Sequence, residues 1–165
     1  MWEGRNIEFA VLTPTITAGA YDADDAIGGL LTVAVGKSVL RESGRGEIVT
    51  AVLADKASQI GQHAIEAYIF EANPSASTFT DNAAFNINDT DILNCIGPLI
   101  FSTACGEDVC PGASTANQIM TIRNVGLTYQ LGALESKLYV ALKIRGAATF
   151  TSTSDLQLRL YFARY

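Results

Sequence analysis

Charged residues and long apolar runs are both scarce in this sequence, and each scarcity excludes a class of partner. Charged residues make up 17% of the 165 residues, below the roughly 25% of a typical soluble domain. Lysine and arginine do not cluster and the net charge is −6, so we expect no nucleic-acid partner. No apolar run approaches the roughly 18–20 residues of a membrane-spanning helix, so we expect no membrane partner.

Residues that support catalysis or bind metals are sparse as well. His63 is the only histidine, and no serine or cysteine stands at a motif spacing from it. Asp22, Asp24 and Asp25 resemble the start of a calcium loop, but the glycine and glutamate that an EF-hand requires are missing. We therefore predict a protein that is not an enzyme, with no catalytic residue, no metal site and no cofactor.

The three cysteines, at positions 95, 105 and 110, cannot form a complete set of intramolecular disulfides because their number is odd. Cys105 and Cys110 bracket a short loop and leave three alternatives open. They are two free thiols, or a disulfide in an oxidising medium, or metal ligands that His63 alone would hardly complete. The N-terminus lacks a signal-peptide pattern, so we expect synthesis in the cytoplasm.

Many short runs of alternating apolar and polar residues predict β-strands. In residues 137–145, Leu138, Val140, Leu142 and Ile144 lie on one face, and residues 156–162 repeat that pattern. We expect these two strands to form the core of one sheet. Eight to ten such strands without a long helix predict an all-β fold, an antiparallel β-sandwich of jelly-roll-like type.

One short helical turn is the only predicted helix, at residues 89–95, where Gly97 and Pro98 would end it. The length is normal for one domain. We assign residues 16–165 to a single β-sandwich domain and residues 1–15 to an N-terminal arm or edge strand, because Pro14 cannot donate to a β-ladder.

The N-terminal segment offers two aromatic side chains for contact with a partner. Trp2 and Phe9 are the predicted interface residues, although both rings could equally pack on their own core. We expect the fold to survive deletion of residues 1–13.

Residues 71–91 are the longest interruption of the strand pattern, and they are rich in Ser, Thr, Asn and Asp. We predict a structural loop that closes one end of the sandwich. Aromatic side chains would pin it to the sandwich, and polar side chains would shape it through hydrogen bonds to the backbone. The residues assigned to these roles are Phe79 and Phe85 for pinning, and Asp81, Asn82 and Asp89 for shaping.

A series of motifs along the chain resembles one family. They are AY at 20–21, DAIGG at 25–29, GEIV at 46–49, VLADK at 52–56, YIF at 68–70, NPS at 73–75, FTDNAAF at 79–85 with Asp89 and Asp91, KLYV at 137–140 and TSDLQL at 153–158. In order and spacing they are similar to a family of virion structural proteins from tailed bacteriophages. The likeness covers residues 20–103 and, more loosely, the last thirty. The first fifteen residues and the cysteine loop lie outside it.

The resemblance implies a non-enzymatic capsid decoration or cement protein, located in the virion. Its partners would be the major capsid protein or other virion proteins. Low charge suits burial against partners, and we expect a symmetric homo-oligomer, with a trimer as one candidate.

Two alternatives stay open. The first is a β module of the neck, tail or fibre, which would differ in copy number. The second is a carbohydrate-binding β-sandwich, for which Trp2, Tyr21, Tyr68 and Tyr129 are the candidate platforms. A hydrolase with paired carboxylates is the least favoured class, because acidic turns explain the aspartates more simply.

Overall fold

The computed structural model describes residues 7–35, 44–57, 64–102, 106–108, 117–132 and 135–164. These residues form eleven strands and one short 3₁₀ turn, and none of them forms a helix long and apolar enough to cross a bilayer. The strands are β1 (Ile7–Leu12), β2 (Gly19–Tyr21), β3 (Ala26–Ala34), β4 (Arg45–Asp55), β5 (Ile65–Phe70), β6 (Cys95–Phe101), β7 (Gly106–Asp108), β8 (Gln118–Gln130), β9 (Lys137–Ile144), β10 (Ala148–Phe150) and β11 (Leu156–Arg164). The 3₁₀ turn is Ile92–Asn94.

Two antiparallel sheets pack face to face. The five-stranded sheet has the order β1-β11-β4-β8-β7, the four-stranded sheet has the order β3-β9-β5-β6, and β10 and β2 form a small separate pair. This arrangement confirms the predicted all-β, antiparallel β-sandwich. The single 3₁₀ turn agrees with the prediction of at most one short helical turn.

The core between the sheets is built from alternate residues of each strand. Leu138, Val140, Leu142 and Ile144 of β9 are all buried, as the alternation predicts. Each such side chain contributes roughly 1.5–3 kcal/mol when it leaves water. The prediction that β9 and β11 form the core of one sheet is wrong, since they lie in the two facing sheets. Alternation determines which face of a strand is buried, but it does not identify the neighbouring strand.

The pairing of the strands is nested. β1 pairs with β11, β3 with β9, β4 with β8 and β5 with β6, all antiparallel. Across the two sheets, β1 lies next to β3 and β6 lies next to β8. The edge strands β1 and β6 therefore stand on opposite flanks of the sandwich.

Two strand boundaries differ from the prediction. Gly97 and Pro98 lie inside β6 rather than ending a helical turn, and β6 can hold a proline because it is an edge strand. Residues 118–130 form one long strand, whereas the sequence pattern predicts two short extended segments, at 117–123 and 127–129. A bulge in β8 divides the apolar pattern there, with Asn124 and Gly126 at positive φ.

The N-terminal segment is built into the sheet from residue 7 onward. β1 pairs with β11 along its whole length, and Leu12 is buried in the core. Deletion of residues 1–13 would remove this strand and uncover the backbone of β11. Because β1 is an edge strand whose Leu12 belongs to the core, the position of β1 argues against the expectation that the fold survives that deletion intact.

A bulge in β3 brings two distant parts of the chain into close approach. Gly28 and Gly29 both have positive φ, and the register with β9 shifts between Ile27 and Leu30. A Cβ atom at Gly28 would overlap the Cβ of Pro14 and lie 3.0 Å from its Cα. Only glycine satisfies both the backbone conformation and this contact.

We expect Gly28→Ala to lower the free energy of unfolding by roughly 2–4 kcal/mol, because the substitution combines backbone strain with overpacking. Chemical denaturation measures the loss. Gly132→Ala is the matched control, since Gly132 has open space around the Cβ position, and we expect a change within about 0.5 kcal/mol. Equal effects of the two substitutions would contradict the prediction.

Candidate functional site

An apolar stripe runs along the outer face of β1. Ile7, Phe9 and Val11 are 62%, 64% and 47% exposed and stand on one face of the strand, while Leu12 at its end is buried. The Phe9 ring lies 5.8 Å from the ring of Tyr161 on the neighbouring strand. We call these three residues the β1 stripe. Of the two predicted interface residues, Phe9 lies in this stripe, and Trp2 lies outside the described residues.

A cation lies beside the β1 stripe. Arg159 is the cross-strand partner of Val11, and its Nε and Nη2 atoms donate to the Gln157 amide oxygen at 2.9 and 2.8 Å. The guanidinium group is therefore held in place by a neutral side chain and keeps its charge available. At the other end of the stripe, a groove of about 400 Å³ opens between Ile7 and Asn124. β1 is an edge strand that contains no lysine or proline, the residues that commonly prevent edge-to-edge association.

The second notable region is the loop at residues 71–91, here called the pinned loop. It lies on the outer face of the four-stranded sheet, where Phe79 packs with Phe70 of β5 and Ala141 of β9 in a second apolar cluster. Phe85 lies between Tyr68 and Phe79, with ring centroids 5.0 Å from each. The expectation that the loop closes one end of the sandwich is thus corrected. The loop forms a third layer because β5 and β9 carry apolar residues on both faces.

Asp81 connects the pinned loop to three other segments. Its Oδ2 accepts hydrogen bonds from the Thr17 backbone N–H (2.7 Å) and hydroxyl (2.8 Å). Its Oδ1 accepts from the Tyr21 hydroxyl (2.7 Å) and from the Gly28 N–H (2.6 Å), which the β3 bulge turns outward. Burial alone would raise the pKa of Asp81, but the hydrogen bonds from Gly28, Tyr21 and Thr17 outweigh it and hold that pKa below its usual value.

The other polar residues predicted for the loop have different environments. Asn82 lies at the tip of the turn with φ of 55°, and its N–H donates to the Ala26 carbonyl at 3.0 Å. Asp89 is exposed. The neighbouring acid Asp91 is buried instead, and its Oδ2 accepts from the Ala76 N–H (2.9 Å) and the Ser77 hydroxyl (2.6 Å). Sequence reasoning named the exposed aspartate because both positions follow turn-forming residues.

A buried charge cluster lies beside the pinned loop on the same sheet face. Glu66 of β5 is buried, and it pairs with Arg145 and with Lys143 of β9, at 3.1 Å from the Lys143 Nζ atom. The Tyr68 hydroxyl donates to Glu66 at 2.8 Å. Burial raises the pKa of Glu66, but these three partners together lower it below the usual value. The signal in the sequence was an acid inside an otherwise apolar strand, a position that requires a cation on the neighbouring strand.

Two more buried acids lie in the five-stranded sheet, where β4 ends and β11 begins. Asp55 accepts from the Ala57 N–H at 2.8 Å, and Asp155 accepts from the N–H groups of Thr151 and Ser152 at 2.7 and 2.8 Å. Burial raises the pKa of Asp55 to about 6, and the nearby charge of Asp155 adds to that effect. Asp55 is thus an acid whose charged form is disfavoured by folding.

The remaining candidate site residues do not come together. His63, Cys105 and Cys110 lie outside the described residues, and burial raises the pKa of the Cys95 thiol. Within the described ranges, no group of three histidine, cysteine or acidic side chains could hold a metal ion. The candidate sugar platforms Tyr21 and Tyr129 are buried.

Comparison with known proteins adds no relative. No model of a known protein family matches the sequence, and no curated protein is significantly similar to it. Functional inference therefore depends on the β1 stripe, the pinned loop and the motifs of the sequence.

We expect Asp81→Ala to lower the free energy of unfolding by roughly 2–4 kcal/mol, because it leaves the buried Tyr21 hydroxyl and the Gly28 N–H without their acceptor. Denaturation at pH 7 measures the loss. The exposed Asp89→Ala is the control, with an expected change within about 0.5 kcal/mol. Because folding lowers the pKa of Asp81, the stabilisation by its charge is present above pH of about 4 and is lost as the pH falls below it.

We expect Asp55→Asn to stabilise the protein at neutral pH. The raised pKa means that the folded state binds the proton more tightly, so the contribution of Asp55 to stability is fully present below pH of about 4 and is lost as the pH rises through about 6. The variant removes this loss of stability, and its side-chain amide oxygen can still accept the hydrogen bond from the Ala57 N–H. It should be more stable by roughly 1–3 kcal/mol above pH 7, and equal to wild type at low pH. A variant that is less stable than wild type at pH 8 would refute this account.

Proposed function

We propose that this protein is a structural component of a bacteriophage virion, a capsid decoration or cement protein that acts through protein–protein contacts. The observation that carries the proposal is the β1 stripe. Three large apolar side chains on one sheet face, each about half exposed or more, are typical of a surface that becomes buried against another protein.

The strand order supports the same proposal. We infer that the nested pairing is a jelly roll, in which one long antiparallel ribbon is rolled up so that its first strand pairs with its last. Viral capsid domains and lectins commonly use this architecture. Fold likeness alone does not assign a function, so the surface and the motifs carry the argument.

Three of the motifs that resemble virion proteins are far apart in sequence but meet in the structure. The segments 25–29, 68–70 and 79–85 contribute the β3 bulge, the outer face of β5 and the tip of the pinned loop. Asp81 and the rings of Tyr68, Phe79 and Phe85 connect them. The motifs thus describe one structural unit, which is what a resemblance at the level of the fold would preserve.

A cement protein needs many modest contacts rather than a reactive centre. A standard interface buries about 800 Å² per partner, and repetition over a shell multiplies weak contacts into firm attachment. Val52 and Ala54 of β4 lie on the same side of the sheet as the β1 stripe, where Arg159 stands between Val11 and Val52, and their apolar surface suits such burial.

The test is the copy number and position of this chain in purified particles of the phage that encodes it. Quantitative mass spectrometry and a particle map should show it in a fixed ratio to the major capsid protein, spread over the head. A few copies at the neck, tail or fibre would support the alternative β module, and absence from the particle would overturn the proposal.

We expect Phe9→Ser to reduce the occupancy of this chain on particles by roughly tenfold, since removal of a central interface aromatic commonly costs 1 kcal/mol or more. The melting temperature should change little because the Phe9 side chain is mostly exposed. Thr153→Ala, at an exposed turn position, is the control and should leave occupancy unchanged. Equal occupancy of both variants would show that the β1 stripe does not take part in the proposed contact.

A further inference from the structure

The large exposed apolar side chains of this protein are not scattered. Of the eight in the described ranges, six lie in two groups. The first group is the β1 stripe. The other two, Leu30 and Ile119, lie singly on β3 and β8.

The second group follows the opposite edge of the sandwich. Ile92 and Leu93 in the 3₁₀ turn are 48% and 85% exposed, and Ile100 on β6 is 45% exposed. Pro98 is also exposed and stands on the same outer face as Ile100, because their partners on β5 are Tyr68 and Glu66. We call the four residues Ile92, Leu93, Pro98 and Ile100 the β6 patch.

The two groups are diagonally opposite. The β1 stripe lies on the outer face of the five-stranded sheet at one flank. Pro98 and Ile100 lie on the outer face of the four-stranded sheet at the other flank, and Ile92 and Leu93 lie in the turn that leads into β6. Contact between unlike surfaces of identical chains is heterologous, and it joins copies head to tail. A single apolar surface would instead suit an isologous dimer.

The charges beside the two groups have opposite sign. Arg159 stands next to Val11 at the end of the β1 stripe, and Gln157 holds its guanidinium group. Asp89 is exposed, and it lies within the turn that is closed where the Ile92 N–H donates to the Asn88 carbonyl at 3.1 Å. An acid is thus placed beside the β6 patch. Paired charges of this kind determine which surfaces meet and in which orientation.

We propose that the β1 stripe of one copy binds the β6 patch of the next, with Arg159 facing Asp89, so that copies of this chain associate head to tail. The partner is a second copy of the same chain, because each copy carries both complementary surfaces. The inference rests on the proposed function in treating the chain as a module of an assembly, and it names the contact between modules.

Two variants with one damaged surface each provide the test. Phe9→Ser damages the β1 stripe and Leu93→Ser damages the β6 patch. Sedimentation of the wild type should show oligomers larger than a dimer, and each variant alone should associate at least roughly tenfold more weakly. An equimolar mixture should form a dimer, because one intact surface of each kind remains. A wild type that stays monomeric, or a Leu93→Ser variant that still dimerises by itself, overturns the proposal.

A charge exchange tests the orientation without removing apolar surface. Arg159→Glu and Asp89→Arg should each weaken association by roughly tenfold, and the double variant should recover it. Both side chains are exposed, so folding should be unaffected, and circular dichroism checks this. A double variant as weak as the single ones contradicts the pairing.

The outcomes separate this inference from the proposed function. Association in solution with no copies on the particle would overturn the virion role and leave the head-to-tail contact standing. Copies on the particle from a chain that stays monomeric in solution would overturn the head-to-tail contact and leave the virion role standing.

Discussion

One carboxylate, that of Asp81, ties the third layer of this protein to three other segments of the chain. The pinned loop is polar and satisfies much of its own backbone through local turns, so its position depends on a few long-range contacts. Asp81 accepts hydrogen bonds from Thr17, Tyr21 and Gly28, and the Phe79 ring packs against Phe70 and Ala141. The β3 bulge contributes to this contact, because it frees the Gly28 N–H from the β-ladder so that it can donate to Asp81.

Because the pinned loop covers the four-stranded sheet, the outer faces of the two sheets differ in their exposure to solvent. The outer face of β5 and β9 is closed by the chain itself, which allows Glu66 to be buried with its cations. The outer face of the five-stranded sheet has no such layer among the described residues, and its apolar side chains at β1 stay open to solvent. The surfaces available for association are therefore the uncovered edges rather than the covered face.

The sequence carried enough information for the strands but not for their partners. Alternation identified the buried face of β9 because period-two burial is a local property. It placed β9 and β11 in one sheet, since neighbouring strands are chosen by long-range packing. The partners of Asp81 lie 53 to 64 residues away, beyond any local pattern. Asp89 and Asp91 look alike in sequence, and only the fold shows that Asp91 is the buried acid.

The nested pairing also orders events in time. Among the described residues, β1 pairs in a ladder with β11 alone, so this edge of the five-stranded sheet cannot form until β11 has left the ribosome. Pairings between such distant segments are slow to form. The β1 stripe consequently becomes a fixed surface only after β11 is available to pair with it, rather than early in synthesis.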